Sequence, residues 1–381
     1  MLCSNPAALA FPLCRELLDS LTLGRYLATR PPRAVISITA ADTVGSMLRR
    51  FACAGLVAAP LFEDEQRTQY RGFVDLLDIV AAVVAAAHQP ATPTAGSAHA
   101  LRARAPAAAR LVATQPVGSI RAMDNDAQLV FQAQLGNSLL EVVREGFAHP
   151  VDQLKCHRLA VFRPASSGAA DMECLDGSSA DLAAIADLQF TDIISQSDAL
   201  RFLHKHQAQL GEALLHATLE QLGITEKPCM CAAADASVID CLAGMVDSRV
   251  PALAVIDSYD RGQLLGCLSI SDLRGILPEH FEQMSEPVGD FLRGGGWRGS
   301  PRWQPSSPRL GVAAEFGIRS PETLPRAPSL AFCTLQSRFG DVLDLLVTRH
   351  LHRVFICDAD MRPAGVLSCT DILRLVAGPV D

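Results

Sequence analysis

The stretch Gly365-Val-Leu-Ser368-Cys-Thr-Asp371 joins a short apolar segment to a hydroxyl residue, two spacers and an aspartate. This pattern predicts a strand that runs into a helix, with polar side chains at the helix start. Three further copies keep the same spacing to the aspartate. They are Gly72-Phe-Val-Asp75-Leu-Leu-Asp78, Asp192-Ile-Ile-Ser195-Gln-Ser-Asp198 and Gly266-Cys-Leu-Ser269-Ile-Ser-Asp272. Four copies in register indicate an internal repeat.

Each copy is preceded by an amphipathic helix pattern and then by an apolar run of strand length. The helix pattern is an apolar triplet at i, i+3 and i+4, as in Val238/Cys241/Leu242. Polar residues just upstream are expected to cap the helices, namely Asp42, Asn137, Asp235 and Ser337. Each unit therefore reads helix–strand–strand–helix. Such an α+β unit is too small to bury both faces, so four units are expected to pair into two pseudo-symmetric modules.

Composition between the copies predicts the domain boundaries. The units are expected over residues 14–88, 116–210, 211–292 and 329–378. Residues 89–115, biased to Ala, Pro, Thr and Ser, predict a mobile linker. Residues 293–328, rich in Pro, Gly, Ser and Arg, predict a second linker. Residues 164–186 are polar and predict a surface loop inserted between the strands of the second unit.

The composition also bears on the class of function. A net charge of −8 lacks the basic face that a nucleic-acid partner requires. The longest apolar run, residues 79–87, is far shorter than a membrane span, so no membrane partner is expected. Twelve cysteines form no C-x-x-C pair and no zinc spacing. Reduced thiols in a cytoplasmic or nuclear protein are expected, with neither a metal nor a redox cofactor.

Motifs of catalysis are missing from the sequence. It contains no nucleophile elbow, no Walker loop and no G-x-G-x-x-G after a strand. We therefore expect a protein that is not an enzyme. A hydrolase built on a cysteine and a histidine is the enzymatic alternative.

Several local motifs resemble one known family. Ala58-Ala-Pro-Leu61, Arg249-Val-Pro-Ala-Leu253 and His352-Arg353-Val354 are similar to motifs of the cystathionine-β-synthase (CBS) domain family. Within it, the chain resembles the gamma regulatory subunits of AMP-activated protein kinase and their plant and fungal counterparts. The resemblance implies four CBS repeats in a flat disk, with nucleotide clefts between paired repeats. It implies AMP, ADP or ATP as the regulatory ligand, and the catalytic and scaffold subunits of a Ser/Thr kinase as partners.

The four aspartates are the predicted ribose contacts, because a carboxylate can accept two hydrogen bonds from a ribose 2′,3′-diol. They are Asp371, Asp272, Asp198 and Asp78. The helix N-terminus is expected to keep each one ionised. The neighbouring hydroxyl residues, Ser368, Thr370, Ser269 and Ser195, are expected to reach sugar or phosphate. The alternative is that each aspartate only caps its helix.

Basic residues at strand entrances are the predicted phosphate contacts. The resemblance assigns this role to His157, Arg158, His352 and Arg353, and Arg249 is a further candidate in the third repeat. Arginine offers a planar fork for phosphate oxygens. The alternative is a solvated pair at each strand entrance.

Two departures from the gamma-subunit pattern weaken the first module. Val57 stands where that family carries Arg, and Asp75 replaces a hydroxyl residue and adds an acid near Asp78. The module formed by the third and fourth units is therefore the better nucleotide site. The sequence favours an energy-sensing regulatory subunit of a kinase complex, and the alternative is an interaction scaffold with degenerate clefts.

Overall fold

The computed structural model describes eight stretches of the chain, and all structural statements below refer to them. They are residues 11–31, 35–88, 98–120, 131–149, 156–164, 188–259, 262–294 and 330–378. The inserted loop predicted at 164–186 and the linker predicted at 293–328 fall almost wholly outside these stretches.

Helices and short strands alternate along the described chain. The helices are α1 (Phe11–Asp19), α2 (Leu23–Ala28), α3 (Val44–Ala54), α4 (Leu76–His88), α5 (Ala98–Ala113), α6 (Leu139–Glu141, continued by a π-helical turn Val142–Phe147), α7 (Gln196–Lys205), α8 (Glu212–His216), α9 (Val238–Asp247), α10 (Val288–Gly294), α11 (Phe339–Thr348) and α12 (Cys369–Ala377). The strands are β1 (Ile38–Thr39), β2 (Ala58–Phe62), β3 (Tyr70–Asp75), β4 (Ala133–Gln134), β5 (Arg158–Pro164), β6 (Leu188–Ser195), β7 (Cys231–Ala233), β8 (Ala252–Ile256), β9 (Leu264–Ser269), β10 (Phe332–Cys333), β11 (Arg353–Cys357) and β12 (Pro363–Ser368). Short 3-10 turns cover Val117–Ser119, Gln207–Gln209, Ile270–Leu273 and Pro278–Ser285.

Four units share one topology, as the repeat predicted. Each is a three-stranded sheet in which a short first strand runs parallel to the middle strand and the third strand runs antiparallel to it. The register is also shared. Arg353 lies opposite Ser368, and Arg158 lies opposite Ser195. The predicted basic residues are therefore placed beside the hydroxyl residues at the helix starts.

The helix caps lie one or more residues later than the sequence predicted. Thr43, Ser138 and Ser237 accept from the backbone N–H three residues on, whereas the fourth helix starts at Arg338 without a side-chain cap. Asp42 and Asn137 instead accept from backbone N–H groups three residues back. The sequence rule finds a polar residue near the start but does not distinguish a cap from the turn before it.

Small sheet-to-sheet cores join units 1 and 2, and units 3 and 4, into the two expected modules. Phe62, Phe73 and Phe162 belong to the first core, and Ala254 and Phe355 belong to the second. The two larger apolar cores run between the modules. One joins the helices of units 1 and 3, and the other joins those of units 2 and 4. Sheet contacts and helix contacts thus alternate and close the four units into a ring.

Three connecting regions pack differently from the prediction. Residues 98–113, placed in a mobile linker, form α5, and Leu101, Ala105 and Val112 of this helix are buried in the core of units 1 and 3. Residues 14–28 and 212–219, assigned to the first and third units, pack into the core of units 2 and 4. An alanine-rich helix with Pro106 inside it carries little periodic signal, and helix exchange between units leaves no local signal.

No helix in the described stretches combines the length and the apolar character needed to cross a membrane.

Candidate functional site

A cleft with a volume of about 460 Å³ opens between units 3 and 4, and we call it the Asp272 cleft. One wall comes from the end of β9 and the 3-10 turn after it, with Ser269, Asp272 and Arg274. The opposite wall comes from the turn between α11 and β11. Its cationic residues are Arg349, His350, His352 and Arg353. The cleft thus brings a predicted ribose contact and two predicted phosphate contacts into one space.

Asp272 uses only one of its two carboxylate oxygens to cap its own turn. Oδ2 accepts from the backbone N–H of Ser269 at 2.7 Å and from its hydroxyl at 2.8 Å. No other residue of the described chain donates a hydrogen bond to Oδ1, although the backbone N–H of Asp272 itself and the charge of Arg274 also act on the carboxylate. The capping role and a ligand role are therefore compatible in this carboxylate, because each uses a different oxygen.

Burial raises the pKa of Asp272, and the hydrogen bonds from Ser269 only partly oppose that rise. The prediction that the helix start favours the ionised carboxylate is thus wrong for Asp272, because its pKa is raised rather than lowered. The turn Ile270–Leu273 is a single short 3-10 element, so it supplies little dipole, and desolvation of the charge outweighs it.

Arg353 faces the same cleft with its positive charge uncompensated by a hydrogen bond. Its side chain donates to none of the residues that the structure describes. Burial lowers the pKa of this guanidinium, but arginine stays charged in proteins. The charge of Asp371 acts on this half-buried cation but not through a hydrogen bond, so the adjacent space is favourable for a further anion.

His350 was missed by sequence reasoning, together with Arg349 and Arg274. His350 has a left-handed backbone, with φ at 55°, in the turn that follows α11. The equivalent turns of units 1 and 3 carry Gly55 (φ 63°) and Arg249 (φ 50°). Glycine is the usual residue at such a helix end, so a histidine or arginine costs about 1 kcal/mol or more there. A bulky residue such as His350 at a helix end that usually carries glycine was the sequence feature that could have indicated a functional role.

Asp371 is the pseudo-equivalent residue of unit 4. Unlike in Asp272, both of its carboxylate oxygens contact other groups of the protein. Oδ2 accepts from the backbone N–H and hydroxyl of Ser368 at 2.9 and 2.6 Å, while Oδ1 lies 3.0 Å from Nζ of Lys227. Burial alone would raise the pKa of Asp371, but the bonds from Ser368 and the charge of Lys227 lower it below its ordinary value.

Asp198 of unit 2 is covered by two guanidinium groups. Arg201 donates to its Oδ1 at 2.6 Å, and Arg30 lies 3.8 Å from the same oxygen. Oδ2 accepts from the backbone N–H and hydroxyl of Ser195. Burial favours a higher pKa, but the Ser195 bond and both arginines lower it. This carboxylate is therefore satisfied within the protein.

The remaining first-module candidates are also engaged inside the protein. Asp78 is buried and accepts from the backbone N–H of Asp75, and Asp75 accepts in turn from the N–H groups of Leu77 and Asp78. Arg158 lies where the charges of Asp75 and Asp198 act on it, across the sheet-to-sheet contact. The second acid at Asp75 thus has a buried guanidinium near it, which sequence reasoning did not anticipate.

Three other predicted phosphate contacts lie outside the lining of the Asp272 cleft. Arg249 is exposed, and the exposed His157 has Nδ1 3.4 Å from Oε1 of Gln196. Thr370 is buried, and its hydroxyl accepts from Nε2 of Gln196 at 2.8 Å. His352 does line the cleft, and its Nδ1 is 3.2 Å from the hydroxyl of Ser197 in unit 2. The cleft wall is thereby linked to the other module.

The CBS domain family matches residues 221–279 and 328–378, which are the third and fourth units. These two units are therefore CBS domains. The first two units share their topology, so the fold is that of four CBS repeats paired into two Bateman modules.

Two further matches extend the comparison beyond the third and fourth units. The bovine (Bos taurus) 5'-AMP-activated protein kinase subunit gamma-3 is 27% identical over 192 residues, or 49% of this chain, and the match spans a third (33%) of that subunit. Protein MJ1225 from Methanocaldococcus jannaschii, described as a proposed archaeal homolog of g-AMPK, has 14% identity and a TM-score of 0.55, with coverage of 91% of this chain and 98% of that one. This chain is therefore similar in sequence to the gamma-3 subunit over about half of its length (49%), and its fold is that of MJ1225.

A further solved structure, CBSX2 in complex with AMP, matches 41% of this chain and 93% of that chain at 20% identity, with a TM-score of 0.25.

Proposed function

We propose that this protein is a non-catalytic regulatory subunit that binds an adenine nucleotide in the Asp272 cleft. One observation carries the proposal: Oδ1 of Asp272 accepts from no other described residue, in the same cleft that holds Arg349, His350, His352 and Arg353. A carboxylate oxygen can accept from the ribose diol, while the cations can neutralise phosphate. The cleft volume of about 460 Å³ suits a ligand of this size.

The nucleotides AMP, ADP and ATP would compete for this cleft, because all three present the same ribose to Asp272. Discrimination between them would come from the phosphate end, where Arg349, His350 and His352 are exposed and Arg353 is half-buried. Additional phosphates would extend towards the exposed cations. Relative cellular levels of the three ligands would then set the occupancy.

The output of binding would be a change in a Ser/Thr kinase complex of the AMP-activated type, with catalytic and scaffold subunits as partners. The name of the matched bovine relative supports this class of complex. The contact between His352 and Ser197 supports a route by which an occupied cleft in one module alters the other. The protein would act in the cytoplasm or the nucleus.

A scaffold function is the second candidate, and a specific observation favours it. The predicted ribose carboxylates Asp198 and Asp371 are neutralised by the protein's own cations. A platform with mostly closed clefts would serve to hold partners rather than to sense ligands. The two candidates differ in whether the Asp272 cleft takes up a nucleotide.

Isothermal titration of the full chain with AMP, ADP and ATP separates them. We expect saturable binding close to one site per chain. Asp272→Asn keeps an oxygen for the Ser269 cap but replaces the free acceptor with a donor, so affinity should fall by about thirtyfold, or about 2 kcal/mol. Asp371→Asn is the matched control and should change affinity little. Absent heat with all three nucleotides, together with co-purification of kinase subunits, would favour the scaffold.

A further inference from the structure

A segment without regular secondary structure, residues 224–230, crosses the surface of unit 4, and we call it the strap. It passes so close to β12 that a Cβ on Gly365 would lie 3.0 Å from the backbone nitrogen of Lys227 and 3.3 Å from Cα of Glu226. A glycine at position 365 allows this approach. The strap belongs to unit 3 by sequence but rests on unit 4.

Two side chains attach the strap to unit 4. Nζ of Lys227 lies 3.0 Å from Oδ1 of Asp371, so the strap covers the pseudo-equivalent of the free oxygen in the Asp272 cleft. The thiol of Cys229 lies 3.7 Å from the carbonyl oxygen of Pro363, at the start of β12. Any movement at Cys229 therefore bears on the position of Lys227, which is only two residues away.

Cys229 and Cys231 form a thiol pair at the end of the strap. Their sulfur atoms are 4.0 Å apart, because alternate residues of an extended chain point to the same side. Both side chains are only partly buried and both are free thiols. The hydrogen bond from Cys229 lowers the pKa of Cys231 to about 7, and the same contact raises the pKa of Cys229.

Other cysteines of the described chain lack this combination. Burial raises the pKa of Cys14 and Cys241 to about 12, so these thiols stay protonated and inert. Cys53 is exposed but forms no sulfur contact with another cysteine. The reactive form, a thiolate beside a second thiol, is thus concentrated at the strap.

We propose that Cys229 and Cys231 are a modification site at which peroxide forms an intrachain disulfide and thereby detaches Lys227 from Asp371. The Cys231 thiolate attacks one oxygen of hydrogen peroxide, the O–O bond breaks, and the hydroxide that leaves takes up the thiol proton as water. Cys229 then loses its proton and attacks the sulfenic sulfur of Cys231, and the S–O bond breaks as a second water leaves. Overall, two thiols and one peroxide give one disulfide and two waters.

The disulfide requires the strap to move. A disulfide bond is about 2.0 Å long, so the sulfur atoms must approach by about 2 Å, and the two Cα atoms must fall within about 7 Å of each other. Met230 lies between them, and its carbonyl oxygen accepts from the N–H of Ala254 at 2.8 Å. Because Met230 is tied to β8, the bend must be absorbed on the side of Cys229 and Lys227. Cys229 also gives up its contact with Pro363.

Amine labelling provides a readout of the movement that needs no nucleotide. The sequence contains only three lysines, Lys155, Lys205 and Lys227. Lys205 is exposed at the end of α7 and serves as the internal reference. Trypsin does not cleave the bond between Lys227 and Pro228, so one peptide carries Lys227 and both cysteines. Label and disulfide are therefore read on the same molecule by mass spectrometry.

The experiment treats the full chain with hydrogen peroxide, acetylates it briefly with acetic anhydride, and maps the peptides. We expect the loss of two hydrogens within the peptide that holds Cys229 and Cys231. We also expect a several-fold rise in acetylation of Lys227 relative to Lys205, confined to the disulfide form. Cys231→Ser should remove both effects, whereas Cys53→Ser, which removes an exposed thiol elsewhere, should leave both intact.

Three results would overturn the proposal. They are oxidation that stops at a sulfinic acid on Cys231, a disulfide between two chains, and an intrachain disulfide with an unchanged ratio of Lys227 to Lys205 labelling. Urea denaturation of each serine variant establishes that it is folded before oxidation. Since no nucleotide enters the assay, its failure would leave the proposed nucleotide function standing, and the failure of nucleotide binding would leave this result unaffected.

Discussion

The ammonium group of Lys227 lies 3.0 Å from Oδ1 of Asp371, the oxygen that in the equivalent Asp272 accepts from no other described residue. The two pseudo-equivalent carboxylates of one module thus differ in that only Asp371 is paired with a lysine. Lys227 belongs to unit 3 by sequence but pairs with the aspartate of unit 4. The two repeats therefore differ because of a segment outside the repeated motif. Several measurable consequences follow from such internal pairing.

Lys227→Met should open the second cleft of this module. The substitution keeps much of the side-chain length but removes the charge from Oδ1 of Asp371. Titration with AMP should then show a second, weaker binding event per chain, which the double variant Lys227→Met/Asp371→Asn should lack. The ion pair is exposed on the lysine side, with 58% of that side chain accessible, so stability should fall by less than about 1 kcal/mol. An unchanged stoichiometry would show that the lysine is not what closes the cleft.

Arg353→Met should weaken nucleotide binding by about tenfold or more and yet stabilise the free protein. The guanidinium is half-buried and makes no hydrogen bond to a described residue, and its desolvation outweighs the attraction of Asp371, so its removal relieves a desolvation cost in the absence of ligand. Loss of a charge-assisted contact to phosphate accounts for the affinity. Isothermal titration and urea denaturation measure the two effects. A variant that binds normally but is less stable would assign Arg353 a purely structural part.

Arg30→Ala should destabilise the protein by about 2–3 kcal/mol, because it leaves a buried carboxylate with one cation fewer. The side chains of Arg30 and Asp198 are only 14% and 5% exposed. Arg71→Ala is the matched control, since Arg71 and Glu63 are 43% and 50% exposed, and its cost should be below about 0.5 kcal/mol. Equal losses in urea denaturation for the two variants would contradict this account.

The stability of two asparagine variants should depend on pH in opposite senses. The pKa of Asp198 is lowered in the folded protein, so its ionised form stabilises the fold at neutral pH, and this is lost as pH falls through the folded pKa. Asp198→Asn should therefore be less stable than wild type at neutral pH, and the gap should close below about pH 4.

Asp272 has a raised pKa, so ionisation costs stability as pH rises through its folded pKa. Asp272→Asn should be at least as stable as wild type at neutral pH, and any advantage should vanish below about pH 4. Unfolding free energies from urea titrations across this pH range test both signs. A destabilised Asp272→Asn at neutral pH would indicate that the carboxylate is needed for the cap itself.

The sequence was sufficient for the four-unit topology because the signals that specify it are local. Four aspartates at one spacing, each after an apolar strand, specify four units, and the register that places Arg353 opposite Ser368 follows from the strand lengths. The same spacing could not separate Asp272 from Asp371. That difference depends on Lys227, which lies 144 positions from Asp371 in the chain and reaches it only through the strap.

The packing of helices from one unit on another unit could not be predicted from the sequence either. Residues 14–28 and 212–219, assigned by the sequence to units 1 and 3, pack into the core of units 2 and 4. The spacing of their apolar residues predicts an amphipathic helix but not the unit on which it packs, because any exposed apolar groove of suitable shape could bury that face. The sequence likewise did not predict a role for His350, whose left-handed backbone lies in the turn that forms one wall of the cleft.

The packing of α1 against α12 also constrains the order in which the chain can fold. Phe11, Cys14 and Leu18 are buried together with Leu373 and Val376, which lie far later in the chain. During synthesis these apolar residues of α1 therefore remain exposed to solvent until the fourth unit has emerged from the ribosome. Closing so long a loop adds little entropy cost compared with a shorter one. The period of exposure is nevertheless long, so we expect nascent or truncated chains to be captured by chaperones through this helix.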